Sequence, residues 1–370
     1  MNSTSTILDY DRRHVDSDVS GMRESLYPGY RGKDIGKFVS LQNHVVKTNS
    51  SEITRVDLPK SLSDKAIDDS IPEFSKIKIS TETIIAVSNL FFDLNNLYNY
   101  LPVVEYIVVK RKRGRKKKTE IIDPNKDIPV GSIISVQSKT NVRGAVLKKK
   151  KESKTYFLNS ITVIVTLEDG KMINVKISKN GKWQITGCKC NNHFINCIRY
   201  IYANIKLAEE YTGEKICILK NDETQPRMIF NIVMKNIDFK VGFSIQRDDL
   251  DTFMSVNTEF TSHYEGSITT GVNIKIRSEH PYEENLIQLV IDEDGTPHTT
   301  SVPYTDYLKF LDDKEKKKEA KKVKFHTFLV FCSGSIIQSG SGPDMEKVYK
   351  QFMRILLKNR SKFEEKLIEE

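Results

Sequence analysis

The sequence predicts an α+β fold made of two pseudo-symmetric repeats, whose antiparallel strands form one continuous sheet with helices on one face and the other face open. Three observations carry this. "SKNGKWQITGCK" (Ser178 to Lys189) and "CSGSIIQSGSG" (Cys332 to Gly342) place the pairs Gly181/Gly187 and Gly334/Gly340 at the same spacing, and each runs into a segment of helical periodicity. The order strand, helix, meander, long helix occurs twice. The intervals from Thr83 to Gly181 and from Asn231 to Gly334 are nearly equal, as expected of a duplicated unit that folds into one body.

The elements follow in order. Residues 1–70 are rich in Ser, Asp, Asn and charge and are expected to form a flexible polar N-terminal arm. The first repeat spans 71–207. "KIKISTETIIAVSNLFF" alternates like a strand, "DLNNLYNYLPVV" puts Leu94, Leu97, Tyr98 and Leu101 on one side of a short helix, and "EYIVVK" returns to strand character before a basic insertion at about 110–156. "FLNSITVIVTLEDGKMINVKISKNGKWQITG" reads as a meander with tight turns at Asp169-Gly170 and Asn180-Gly181. "NNHFINCIRYIYANIKL" then spaces Phe194, Ile198, Ile201, Tyr202 and Ile205 as a helix capped by Asn191 or Asn192. Residues 208–226 form a polar connection.

The second repeat spans 227–360. "MIFNIVMKNIDFKVGFSI" and "TTGVNIKI" are strands, with "QRDDLDTFMSV" a helix between them. An insertion at about 278–324 carries a strand pair hinged at Asp294-Gly295 and a Lys-rich stretch. "KFHTFLVFCSG" and "SIIQSG" close the meander, and Met345, Val348, Phe352, Ile355 and Leu356 mark the inward face of a final helix before a charged tail at 361–370.

The chain has 370 residues, 38% of them hydrophobic, and a formal charge of +9; mean hydropathy is -0.44 and the pI about 9.0. That length suits a duplicated domain with additions, and the charge points to a polyanionic partner. No run approaches the roughly 18 apolar residues of a membrane span, and the N-terminus lacks the apolar core of a signal peptide, so a soluble intracellular protein with no membrane partner is expected. The blocks "KRKRGRKKK" (Lys110 to Lys118), "KKKK" (Lys148 to Lys151) and "KEKKKEAKKVK" (Lys314 to Lys324) concentrate the charge. The first of these reads as nucleic-acid contact or nuclear targeting, whereas the last interleaves glutamates and equally suits a solvated loop.

Other chemistry is poorly represented. Five cysteines in an intracellular chain argue for reduced thiols. Cys188, Cys190, His193 and Cys197 can be drawn as C-x-C-x2-H-x3-C, but zinc sites favour C-x2-C pairs, so no metal is expected. "DEDG" lacks the carboxylate spacing of a calcium loop. "GSGPD" (Gly340 to Asp344) is a glycine-rich helix entry rather than a phosphate loop, and no nucleotide-binding, metalloprotease or hydrolase motif is present. Neither a cofactor nor catalysis is expected.

The residues resemble those of the TATA-box-binding protein family, in particular the divergent members of large DNA viruses. "NIVMKNIDFKVGFSIQRDDL" has the family's N-I-V strand start, "SHYEGSITTGVNIKI" is similar to its Y-E-P and G-hydrophobic-I-x-R pattern, and "FLVFCSGSIIQSGSG" to its L-I-F-x-S-G-K-x-V-x-T-G-A-K. "IIAVSNL" and "NGKWQITGCK" hold the equivalent places in the first half. The resemblance covers roughly residues 76–207 and 227–360. It implies a curved saddle sheet that sits as a monomer in the minor groove of A·T-rich duplex DNA and recruits a transcription factor IIB-like protein and RNA polymerase, in a nucleus or a cytoplasmic viral factory, with packaging in the virion as a further destination. Such a reader depends on groove width and easily kinked steps, with apolar side chains wedged between bases.

The resemblance assigns DNA-binding roles residue by residue. Asn231 falls on the family's central asparagine, with Thr83 as its counterpart. Ile85 and Val233 lie against the groove floor, Phe331 wedges beside Leu329 and Ile337, Thr186 and Ser339 match the threonines of the T-G element, and Lys182 and Lys275 stand near phosphates. The sequence departs from the pattern where Ser178 and Thr269 replace wedging aromatics, where Lys176 replaces an apolar contact, and where Phe157 or Leu158 must supply the fourth wedge. These departures keep open a protein scaffold or nonspecific DNA binder of the same fold that does not bend TATA-like sites. DNA glycosylases and ribonucleases H that carry the fold would need a catalytic domain for which no motif is present.

Overall fold

The computed structural model describes residues 64–108, 124–147, 158–220, 223–279, 285–293 and 295–365. Most of the expected N-terminal arm, the first two basic runs and Phe157 lie outside them. The ten residues of β1 (Ile79–Ser88) alternate partly exposed and buried positions before ending in a buried run. A one-residue gap leads to β2 (Leu90–Phe92), and α1 (Asp64–Ser70) precedes both. The carboxylate of Asp93 accepts hydrogen bonds from the amides of Asn95 and Asn96 and so starts α2 (Leu94–Tyr100).

The expected strand at "EYIVVK" does not form over 105–108. Its place at the sheet edge goes instead to β3 (Ile133–Ser138) and β4 (Asn141–Gly144), which lie in the segment read as a basic insertion. β5 (Ser160–Thr166), β6 (Met172–Ser178) and β7 (Lys182–Cys188) make the meander, and Gly170 and Gly181 take φ 69 and 80 at its two turns. In α3 (Asn191–Thr212) the N-cap is Cys190, without a side-chain cap, rather than either asparagine, and Gly213 ends the helix at φ 75. β8 (Cys217–Leu219) falls in the expected polar connection and pairs with β2.

The second half repeats the plan with β9 (Arg227–Lys240), α4 (Arg247–Asn257), β10 (Thr261–His263), β11 (Gly271–Arg277), β14 (Phe325–Phe331), β15 (Ser335–Gly340) and α7 (Met345–Lys358). Its insertion supplies β12 (Leu286–Ile291), β13 (Pro297–Val302), α5 (Tyr304–Lys309) and α6 (Asp313–Ala320).

The main sheet runs β10-β11-β14-β15-β9-β1-β7-β6-β5-β3-β4, with β12 and β13 attached to β9. The order outward from β9 mirrors the order outward from β1, and these two strands pair antiparallel at the centre. Helices cover one face, so the fold is the α+β sandwich of two mirrored halves that the sequence predicts. Leu97 of α2, Leu101 just after it, and Phe194, Ile198, Ile201 and Ile205 of α3 pack on Ile84, Val163, Val175 and Trp183. In the second half Leu250, Met254, Val348, Phe352 and Leu356 from α4 and α7 pack on Val272, Ile274, Phe328 and Val330. Burying each such side chain stabilises by about 1.5–3 kcal/mol.

Candidate nucleic-acid interface

Strand alternation decides which side chains face away from the helices. In β14, His326, Phe328 and Val330 are buried, which turns Phe325, Thr327, Leu329 and Phe331 to the other face. Cross-strand register extends that row: Leu329 pairs with Asn273 on one side and Ile337 on the other, Thr327 with Lys275 and Ser339, and Phe331 with Gly271. Ser339, Ile337 and Ser335 in turn face Asn236, Asp238 and Lys240 of β9. In the first half the row is Thr83, Ile85, Lys182, Gln184, Thr186, Asn174, Lys176, Ser178, Ser160 and Thr162. Among the described strand residues of this face Asp238 is the one carboxylate. The face therefore consists of short uncharged polar groups, a few apolar ones and lysines.

The structure brings most of the expected binding residues together here. Thr83, Ile85, Phe331, Leu329, Ile337 and Ser339 are half-buried on this face, and Lys275 is exposed toward its edge. The Thr186 hydroxyl donates to the Asn174 carbonyl at 3.3 Å. Val233 is the extra residue at a β-bulge between the pairs Thr83–Met234 and Ile84–Ile232.

Two placements differ from the sequence reading. Thr83 stands opposite Thr186 and Asn236 opposite Ser339, so the counterpart of Thr83 is Asn236, while Asn231 pairs with Ile85. "NIVMKNID" contains two N-I dipeptides, and the second one keeps the spacing: Thr83 to Gly181 and Asn236 to Gly334 are equal intervals. The second difference is that the face is not open throughout. Asn231 is 3% exposed, covered by α5, and Lys182 is paired with Glu315 of α6 at 3.1 Å.

The replaced wedge positions also have a structural account. The cross-strand neighbour of Phe331 is Gly271, where a Cβ would stand 2.9 Å from the Val330 carbonyl oxygen and 3.1 Å from Leu329. Phe331 therefore has no side chain directly beside it on β11. Thr269 lies in the preceding loop, its hydroxyl donating to the Glu265 carbonyl at 3.0 Å. Ser178 pairs with Ser160.

Among the described residues, Asn236 and Asn273 each carry a side-chain oxygen shielded from solvent that has no hydrogen-bond partner. Buried polar atoms are ordinarily paired, so these are places where an incoming group would be welcome. At the centre, Glu82 pairs with Lys235 across β1 and β9, with Nζ and Oε1 3.5 Å apart. Below the sheet, the buried Asp344 carboxylate accepts from His326 Nε2 at 3.0 Å, from the Ser278 hydroxyl at 2.9 Å and from the Glu279 amide at 2.9 Å. This network seats the start of α7 against β14 and β11. Asp344 lies between Ser278 and His326, so the histidine does not face the hydroxyl.

Cys188 and Cys197 are buried and Cys190 is exposed. His193 Nδ1 accepts from the Lys189 amide at 3.2 Å while its Nε2 lies 3.5 Å from Asp169. Among the described residues no group of His, Cys, Asp and Glu could hold a metal ion, and no helix is long and apolar enough to cross a membrane.

No family model matches the chain. It is similar to the uncharacterized protein 335L of Invertebrate iridescent virus 6, at 27% identity over 306 residues, which is 76% of this chain and 84% of that one. Among solved structures it is similar to the Methanococcus jannaschii TBP, at 14% identity and a TM-score of 0.36, over 78% of this chain and 99% of that one.

Proposed function

We propose that the protein binds double-stranded DNA with the sheet face that turns away from the helices, and that it acts in transcription initiation by marking A·T-rich promoters from the minor groove. The observation that supports this is the composition of the face: Ser, Thr, Asn and Gln with Phe331, Leu329 and Ile337, flanked by Lys176, Lys240 and Lys275, in a chain of charge +9. Short polar groups suit the few hydrogen-bonding positions of the minor groove, apolar groups suit its floor, and lysines suit the phosphates that border it. The two mirrored halves suit a duplex, whose strands are themselves related by two-fold axes. The motif resemblance extends the reading to a general initiation factor that presents its helix side to a transcription factor IIB-like protein and RNA polymerase.

Bending and affinity measured together test this. End-labelled TATA-like and G·C-rich duplexes are compared by fluorescence transfer at two salt concentrations, with wild type and Phe331→Ala. The expected result is salt-sensitive binding that bends the A·T-rich duplex, with the bend reduced in the variant. Equal affinity for both duplexes without a bend would favour the scaffold or nonspecific binder, for which Thr269 and Ser178 at wedge positions speak.

A further inference from the structure

The insertion between β11 and β14 crosses the face assigned to DNA. Tyr304, Tyr307 and Leu311, with Leu286 of β12, form a small core with Val87 and Ile229. Val87 and Ile229 each adjoin a residue of the helix-side core, Ala86 and Phe230. Alternation therefore puts this small core on the opposite side of the sheet. The Tyr307 phenol lies against Asn231; burial above all raises its hydroxyl, against a lowering by that amide. α6 turns Glu315 and Glu319, one helical turn apart, inward. Glu315 accepts from Lys182 Nζ at 3.1 Å and Glu319 from the Tyr304 hydroxyl at 3.2 Å, while Lys314, Lys317, Lys318 and Lys321 are exposed.

We infer that α5 and α6 are an internal competitor for the duplex: they close the reading face over Asn231, Val87 and Lys182, with the Glu315 carboxylate held at Lys182 where a DNA phosphate would stand, and binding requires their displacement. This rests on the DNA-binding reading above. The attachment is built to be reversible. α6 buries no residue, and the apolar anchor is a small cluster separate from the two main cores. The Lys182–Glu315 pair is about a third exposed on each side, where an ion pair adds little. A duplex supplies many phosphates, and the exposed lysines of α6 would gain by it as the helix leaves. Apparent affinity then scales with the fraction of molecules already open.

Hydrogen exchange of residues 304–320 in the full chain, with and without an A·T-rich duplex, reads the displacement directly. Affinity is measured in parallel for wild type, for Leu311→Ser with Glu315→Gln, and for Asp313→Asn, which removes an exposed charge on the same helix without touching Lys182. The duplex is expected to speed exchange across α5 and α6. The double variant is expected to exchange faster without DNA and to bind about ten-fold tighter, with Asp313→Asn close to wild type. A bound duplex that leaves exchange in α5 and α6 unchanged or slowed would overturn the inference while the DNA-binding reading stands. So would an opened double variant that binds no tighter. Absence of duplex binding by wild type and variants alike would remove the DNA-binding reading itself, and this inference with it.

Discussion

Replacing Gly181 or Gly334 by alanine should destabilise the protein far more than the same change at Gly170. Gly181 and Gly334 occupy matching turns in the two halves, before β7 and β15, at φ 80 and 71. A left-handed conformation costs an L-residue about 1–2 kcal/mol. A Cβ on Gly181 would also overlap the Leu90 carbonyl oxygen and press on Ser88, and one on Gly334 would overlap the Phe243 carbonyl oxygen. Forcing such contacts apart adds about 1–3 kcal/mol, for a total near 3 kcal/mol at each site. Gly170 takes φ 69 but among the described residues has nothing within 4 Å of the added carbon, so only the conformational part, about 1–2 kcal/mol, applies. Urea unfolding followed by circular dichroism would measure all three. Equal midpoints for Gly181→Ala and Gly170→Ala would refute the claim that close backbone approach, rather than turn geometry alone, fixes glycine at the repeated position.

Two further outcomes follow from buried groups. Burial raises the Asp344 carboxyl, but the Glu279 amide, Ser278 and His326 together outweigh it and leave its pKa below the usual value. Its contribution to stability is thus present above the unfolded carboxylate pKa of about 3.9 and is lost as pH falls through the lower folded value. Asp344→Asn should cost about 3 kcal/mol at neutral pH and flatten the acid limb of a stability–pH profile, and an unchanged limb would contradict the assignment. Burial pushes the thiols of Cys188 and Cys217 up to about 12, and raises that of Cys197 as well. A thiol reagent followed by peptide mass spectrometry should therefore modify Cys190 and Cys332 in the native protein and reach the other three only after denaturation.

The repeated plan was legible because its signals are local. Positive-φ glycines, alternation in β5, β6 and β14, and the helical spacing of α3 and α7 all survive without knowledge of the partner strand. What failed to show was non-local. "EYIVVK" has strand composition but no free sheet edge, because β3 pairs with β5 there through Val136–Val163 and Gln137–Thr162. Asn231 and Asn236 each begin an N-I dipeptide; the interval to the turn glycine favours the second, and the register, Thr83 opposite Thr186 and Asn236 opposite Ser339, decides between them. The covering role of the insertion was likewise hidden. The Lys-rich stretch reads equally as a nucleic-acid contact or a solvated loop until the inward direction of Glu315 and Glu319 is known, and Tyr304 and Tyr307 carry no signal of which face they will meet.

The mirrored register makes the two halves comparable position by position, and they are not alike. Phe331, Leu329 and Ile337 in the second half match Ser178, Lys176 and Gln184 in the first, because each set holds the same place relative to its turn glycine and to β1 or β9. On the DNA-binding reading, the second half can wedge apolar groups into a flexible TA-containing segment, whereas the first half holds by charge. Stiff A-tracts have a narrow minor groove whose enhanced negative potential attracts lysine. A duplex with TA steps at one end and an A-tract at the other should therefore be bound in one orientation. Cys332 follows Phe331 and is exposed, which gives a native attachment point for a DNA-cleaving reagent once Cys190→Ser removes the other exposed thiol. Cleavage concentrated at the TA end is the expected result. Equal cleavage at both ends would mean that the face does not distinguish the halves, and that the divergence of Lys176 from Leu329 has no bearing on how the duplex is read.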